Sequence, residues 1–187
     1  MTKRLLPKDP DLPLLKAIGR GDARALQELY QRHGAGILSF LIDRLHDRQQ
    51  AEEVLQDVML AVWKSAAAFR GECKVRTWLL TIAHHRAIDT YHRSIPANLS
   101  LQDVAVVDSA DVAAMVERNL LYEKMTEVFR NLPTEQREVV KLIFYHGLTY
   151  AEVAQVLGVP EGTVKSRLHH ARLTLRRSLQ MEGITHA

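Results

Sequence analysis

Between residues 149 and 164 the sequence stops one helix and starts another with very little freedom left to the chain. Thr149-Tyr150-Ala151-Glu152 has the spacing of a capping box, in which the threonine hydroxyl takes the orphan amide of Glu152 and the Glu152 carboxylate answers the threonine amide. The helix that follows turns Val153, Ala154 and Leu157 inward and is expected to end at Gly158, a residue free to take the left-handed conformation. Pro160 stands where a new helix begins. From Glu161 onward Val164, Leu168, Ala171 and Leu175 recur at i, i+4, i+7 and i+11, a single buried stripe. This order specifies a helix-turn-helix, whose second helix enters the major groove of DNA.

Opposite the stripe lie Gly162, Ser166, His169 and His170, flanked by Thr163, Lys165, Arg167, Arg172, Arg176 and Arg177. Lys165 to Arg177 holds five Lys and Arg and no acid. Cations of this kind neutralise phosphates, while serine, histidine or lysine near the helix start can reach base edges. The bland alternative is a solvated basic face on a packing helix. His169 and His170 do not predict a metal site, because adjacent residues on a helix point about 100° apart.

The rest of the chain predicts more helices. Asp22 is a plausible cap for a helix carrying Ala25, Leu26, Leu29 and Tyr30 at helical spacing. A second helix, about residues 49–68, carries Val54, Leu55, Val58, Leu60, Ala61 and Val62, and a third runs from about Arg76 to Arg93. Gly71 marks a turn between them, and Trp63 and Trp78 read as core residues. Strand-like alternation is nowhere sustained, so the class is all-α. Residues 94–116 hold three acids and no Lys or Arg, against 15 basic and 11 acidic residues before them and ten and eight after. They read as a flexible acidic linker between two small helical domains, 1–94 and 117–187, with the linker proper at 95–116. Asp111, before an alanine-rich run, could start a helix there.

Composition narrows the classes further. One cysteine, Cys73, excludes an internal disulfide and a cysteine-based zinc site. No run approaches the ~18 apolar residues of a membrane helix, and the basic start MTKRLLPKDPDLP lacks the apolar core of a secretory signal. A cytoplasmic protein with no membrane insertion is expected. Net charge is only +3, so the distribution of charge matters more than its sum.

The amino-terminal half sharpens the expectation. DRQQAEEVLQDVMLAVWKSAAAFRGECKVRTWLLTIAHHRAIDTYHR resembles the second conserved region of extracytoplasmic-function (ECF) sigma factors of bacterial RNA polymerase. The matching features are an acidic A-E-x-V-x-Q-D-V helix, the W-K ending, the F-R-G-E loop and the T-W-L-x-x-I-A helix with its A-x-D. The segment from Leu132 to Arg177 resembles the fourth region of the same family, and the two matches cover most of the chain in the family's order.

The resemblance implies a non-enzymatic polymerase subunit, without cofactor or metal, that binds core RNA polymerase and promoter DNA and has an anti-sigma factor as partner. It implies that the acidic helix docks on a coiled-coil of the largest polymerase subunits through Asp47, Glu52, Glu53, Gln56 and Asp57. It implies that residues 161–172 read the −35 element as duplex, with Thr163, Lys165, Ser166, Arg167, His169, His170, Arg172 and Arg176 as the DNA-binding set. The loop after the acidic helix would hold a base flipped from the single-stranded −10 element. Phe69, Arg70, Lys74 and Arg76 offer stacking and phosphate contact there, although Phe69 is equally suited to a core. On the next helix His85, Asp89 and His92 form an arc that looks DNA-facing, with Arg86 and Arg93 at its edge. Many family members carry asparagine at the position of His85, so a −10 preference cannot be carried over. His84 and His85 also introduce side chains that ordinarily titrate near neutrality.

Rival readings are a stand-alone helix-turn-helix regulator, including the response-regulator type, and a helical metal-dependent hydrolase. A response regulator would need a strand-containing receiver half with a phosphorylatable aspartate, and the hydrolase a ligand set such as H-E-x-x-H. Neither pattern is in the sequence.

Overall fold

The computed structural model describes residues 9–94, 127–129 and 131–181, and among these every regular element is helical. The chain divides near Val106 into two compact units. The expected linker at 95–116, with the helix start at Asp111, lies outside the described residues.

The amino-terminal unit contains α1 (Leu12–Ile18), α2 (Ala23–Leu45), α3 (Arg48–Ser65) and α4 (Val75–Ser94). Asp22 caps α2, its carboxylate accepting from the amides of Arg24 and Ala25, and Asp47 caps α3 by accepting from Gln50. Each cap satisfies amides that the helix itself leaves without a partner. Helices α2, α3 and α4 pack on one another, and α1 lies against α2 and the turn that follows α3. Leu15, Ile18, Leu29, Leu41, Val58, Val62, Leu79 and Leu80 are the fully buried core, each such side chain contributing about 1.5–3 kcal/mol of transfer free energy.

Two expectations change here. The second predicted helix ends as an α-helix at Ser65, and Ala66–Ala68 continue as a single 3-10 turn. Trp63 is 37% exposed rather than core. The buried residues of α3 are Ala51, Val54, Leu55, Val58, Met59 and Val62, one stripe at helical period. Trp63 lies one residue, about 100°, beyond Val62, and Leu60 lies two beyond Val58, so both fall off that stripe. Trp78 is half-buried.

The carboxy-terminal unit contains α5 (Thr134–Phe144), α6 (Tyr150–Leu157) and α7 (Glu161–Met181). Pro133 precedes α5, and α5 packs against α7. Val139, Leu142, Val153, Val156, Val164 and Ala171 are fully buried.

Candidate nucleic-acid interface

The turn between α6 and α7 is built by short-range bonds. The Thr149 hydroxyl accepts from the Glu152 amide at 3.3 Å, and Glu152 Oε2 accepts from the Thr149 amide at 2.8 Å. This is the expected reciprocal box. Gly158 sits at φ 65°, ψ 30°, with its amide returned to the Ala154 carbonyl. A residue with a Cβ would be strained there by roughly 1–2 kcal/mol, so glycine fixes the stop.

On α7 the buried stripe is Val164, Leu168 and Ala171, with Leu175 half-buried at its end. Gly162, Lys165, Ser166, His169, His170, Arg172, Arg176 and Arg177 are exposed, and Thr163 and Arg167 are half-buried at the edges. The side chains expected to read bases and those expected to hold phosphates therefore share one open face. Lys165 Nζ lies 2.8 Å from Glu161 Oε1, and that bond, with the carboxylate's charge, raises the lysine pKa above its ordinary value. The rings of His169 and His170 stand nearly perpendicular, 5.7 Å between centroids. Among the described residues no group of three His, Cys, Asp or Glu is placed to hold a metal ion.

A second candidate surface lies in the amino-terminal unit, where α3, the 3-10 turn and α4 enclose an open cleft of about 600 Å³. Phe69, His85, Arg86 and Asp89 line it, as do Lys64 and Trp78. The Phe69 ring leans on Trp78 at 45°, 5.0 Å between centroids, so Phe69 is both a packed residue and a wall of the cleft. Arg70 is exposed, and Lys74 and Arg76 are half-buried; these three do not line the cleft. The side chains of His92 and Arg93 lie outside the described residues. Lys64 and Trp78 were missed as site residues, yet Trp78, Ile82, His85, Arg86 and Asp89 follow i, i+4, i+7, i+8 and i+11, a stripe the sequence displays.

His84 faces the other way. It is 5% exposed, its ring 6.3 Å from that of Phe40, and its Nδ1 is buried without a hydrogen-bond partner. Burial above all, then the charges of Arg44 and His85, pushes its pKa down to about 4. His84 is thus neutral near neutral pH and is not a contact on the cleft.

The acidic face of α3 is open. Asp47, Glu52, Glu53, Gln56 and Asp57 are all exposed. Glu52 pairs with Arg48 at 3.0 Å and Glu53 accepts from Gln49 at 3.4 Å, both one turn away along the helix. Exposed pairs of this kind contribute little to stability and exchange readily for a partner's cations.

Comparison with known proteins bears on both surfaces. Residues 29–94 match the family model described as sigma-70 region 2, and residues 122–175 match that described as sigma-70, region 4. The ECF RNA polymerase sigma factor RpoE of Cereibacter sphaeroides is 34% identical over 171 residues, 89% of this chain and 93% of its own. The ECF RNA polymerase sigma factor SigL of Mycobacterium tuberculosis is 31% identical over 170 residues, 88% of this chain and 94% of its own. Among solved structures, CnrH in complex with the cytosolic domain of CnrY superposes with a TM-score of 0.66 at 25% identity, covering 92% of this chain and 99% of that one.

Proposed function

The chain belongs to the ECF sigma factors of the sigma-70 family, and from that premise we propose how its residues divide the work of starting transcription. As a sigma factor it binds core RNA polymerase and directs promoter-specific initiation. The exposed face of α7, with Ser166, His169 and His170 at its centre, reads the −35 duplex. Thr163, Lys165, Arg167, Arg172 and Arg176 hold the flanking phosphates. The cleft of Phe69, His85, Arg86 and Asp89, with Arg70, Lys74 and Arg76 beside it, takes the single-stranded −10 element. The acidic face from Asp47 to Asp57 meets a basic surface of the polymerase. Domain limits of 1–94 and 117–187, joined by 95–116, follow the same division. The bond-forming chemistry belongs to the polymerase, the site of action is the cytoplasm, and an anti-sigma factor is the expected antagonist, as the family resemblance implies.

One observation carries this reading above that of a stand-alone regulator. The same chain carries a helix-turn-helix with an open basic face and, in a separate unit, a cleft walled by Phe69 and Trp78 and lined also by Lys64, Arg86 and Asp89, which suits an unstacked base and would have no use in a duplex reader. Run-off transcription on genomic fragments tests it. The protein alone should bind duplex promoters weakly, since its net charge of +3 supplies limited phosphate attraction. With core polymerase it should give discrete, promoter-dependent transcripts. Tight sequence-specific binding by the free protein, with no effect on polymerase, would return it to the regulators.

A panel of −35 mutants tests the assignment on α7. Alanine at Ser166, His169 or His170 should change the preferred −35 sequence, each base contact contributing about 1–3 kcal/mol of discrimination. Alanine at Arg172 or Arg176 should weaken all sequences alike and reduce the salt dependence. If both sets give the same pattern across the panel, the reading face is misassigned.

A further inference from the structure

We propose that α1 is the positioning element of the Phe69–Lys74 loop, holding the loop's two ends at a fixed separation. The proposal rests on the reading that this loop and its cleft meet the −10 strand. The loop runs from the 3-10 turn Ala66–Ala68 to Val75, the first residue of α4. Its last residues, Gly71, Glu72, Cys73 and Lys74, include none of the residue types that cap a helix well apart from the glycine. The cap comes from elsewhere: Asp9 Oδ2 accepts from the buried Val75 amide at 2.6 Å, a bond between residues 66 positions apart. A carboxylate there also meets the positive end of the α4 dipole.

Asp9 is itself held. Its Oδ1 accepts from the Asp11 amide at 2.9 Å. The Asp11 carboxylate, 7% exposed, accepts from Arg32 Nη1 at 2.6 Å and meets His33 Nε2 at 2.7 Å, both on α2. The start of α4 is thereby tied through two aspartates to the middle of α2. At the other end of α1, Gly19 abuts the 3-10 turn. A Cβ on Gly19 would lie 2.9 Å from Ala67 Cα and 3.0 Å from Ala67 N, backbone atoms that can move only with the turn itself. The segment from Asp9 to Gly19, with α1 at its centre, thus touches both feet of the loop, and Phe69, the loop's first residue, with Trp78 on α4 forms part of the cleft wall. Residues 9–19 lie outside the 29–94 stretch that matches the region 2 model, so this support is additional to the matched region.

Asp9 and Gly19 act through the loop and are positioning residues. The test uses the full chain with core polymerase and a panel of −10 and −35 promoter mutants. Asp9→Ala should lower open-complex formation roughly tenfold, the order expected for losing a helix cap, and blur discrimination among −10 sequences while −35 discrimination is kept. Asp9→Asn retains an acceptor oxygen and should restore most of the loss, which ties the effect to the bond to the Val75 amide; loss confined to −10 discrimination is the readout that a general loss of stability would not predict. Gly19→Ala should change −10 discrimination in a protein whose tryptophan-monitored unfolding is still cooperative, and it serves where Asp9→Ala fails to fold. Phe69→Ala and Arg70→Ala are run beside them. Altered −10 use in the loop variants with none in Asp9→Ala or Gly19→Ala overturns the proposal and leaves the reading of the loop standing. Silent loop variants overturn both. Equal losses across the −10 and −35 panels overturn the positioning role.

Discussion

Between pH 6.5 and pH 4 the amino-terminal unit is expected to lose roughly 3 kcal/mol of stability through His84 alone, the free-energy equivalent of moving its pKa from 6.5 to about 4. The direction follows from which state takes up the proton. The folded pKa is depressed, so below pH 6.5 the unfolded chain binds a proton that the folded chain refuses. The contribution is whole above pH 6.5, is lost progressively as pH falls, and is gone below about pH 4. Burial is the main cause, reinforced by Arg44 and His85. The orphan Nδ1 offers no partner that would make protonation easier. His84→Leu removes both the titration and a buried polar atom without a bond, a change that is often neutral or stabilising at neutral pH. Trp63 and Trp78 are the only tryptophans, so urea unfolding followed by tryptophan fluorescence in the full chain reports this unit. The wild-type stability should fall away from that of His84→Leu as pH drops from 6.5 to 4, the gap between the two widening by roughly 3 kcal/mol. Parallel curves would mean that the Nδ1 finds a partner in solution.

The second large effect separates opening from duplex reading. Capturing a base outside the stack requires unstacking it, at a cost of a few kcal/mol that the cleft must offset. Damage to the cleft, as in Phe69→Ala or Trp78→Ala, should therefore reduce initiation on duplex promoters by roughly 10–100-fold, on the scale of about 1–3 kcal/mol for base–aromatic stacking. A template with a pre-melted bubble over the −10 element should recover much of that loss, because the unpairing is already done. Damage to α7, at Lys165 or His169, should show no such recovery. Equal recovery in both classes would mean that the two units do not divide these tasks.

What the sequence displayed and what it concealed follow the range of the interactions. The capping box at Thr149, the stop at Gly158 and the stripe through Val164 and Leu168 are all local, and each was legible as a pattern within a few residues. The acidic face of α3 was legible for the same reason. Trp63 was misread because large aromatic residues are usually buried, and its position one step off the stripe outweighs that tendency. Phe69 could not be assigned to core or cleft because its stacking on Trp78 makes it part of both. The link from Asp9 to Val75 carries no local signal at all. An aspartate before α1, two residues from a second, gives no hint that its partner is an amide 66 residues later.

That separation has a consequence for the order in which the molecule assembles during synthesis. Ribosomes add roughly 5–20 residues per second, so Asp9 waits on the order of 3–13 s before Val75 has even been made, and α1 spends that time with its later contact absent. The carboxy-terminal unit has no comparable delay at its turn. Its stops join Thr149 to Glu152, Leu148 to Leu142 and Val159 to Ala154, contacts that close within a few residues and favour fast folding. The nascent protein should therefore set the loop beside its cleft only once α4 has emerged, whereas the turn between α6 and α7 can form almost as soon as it is exposed.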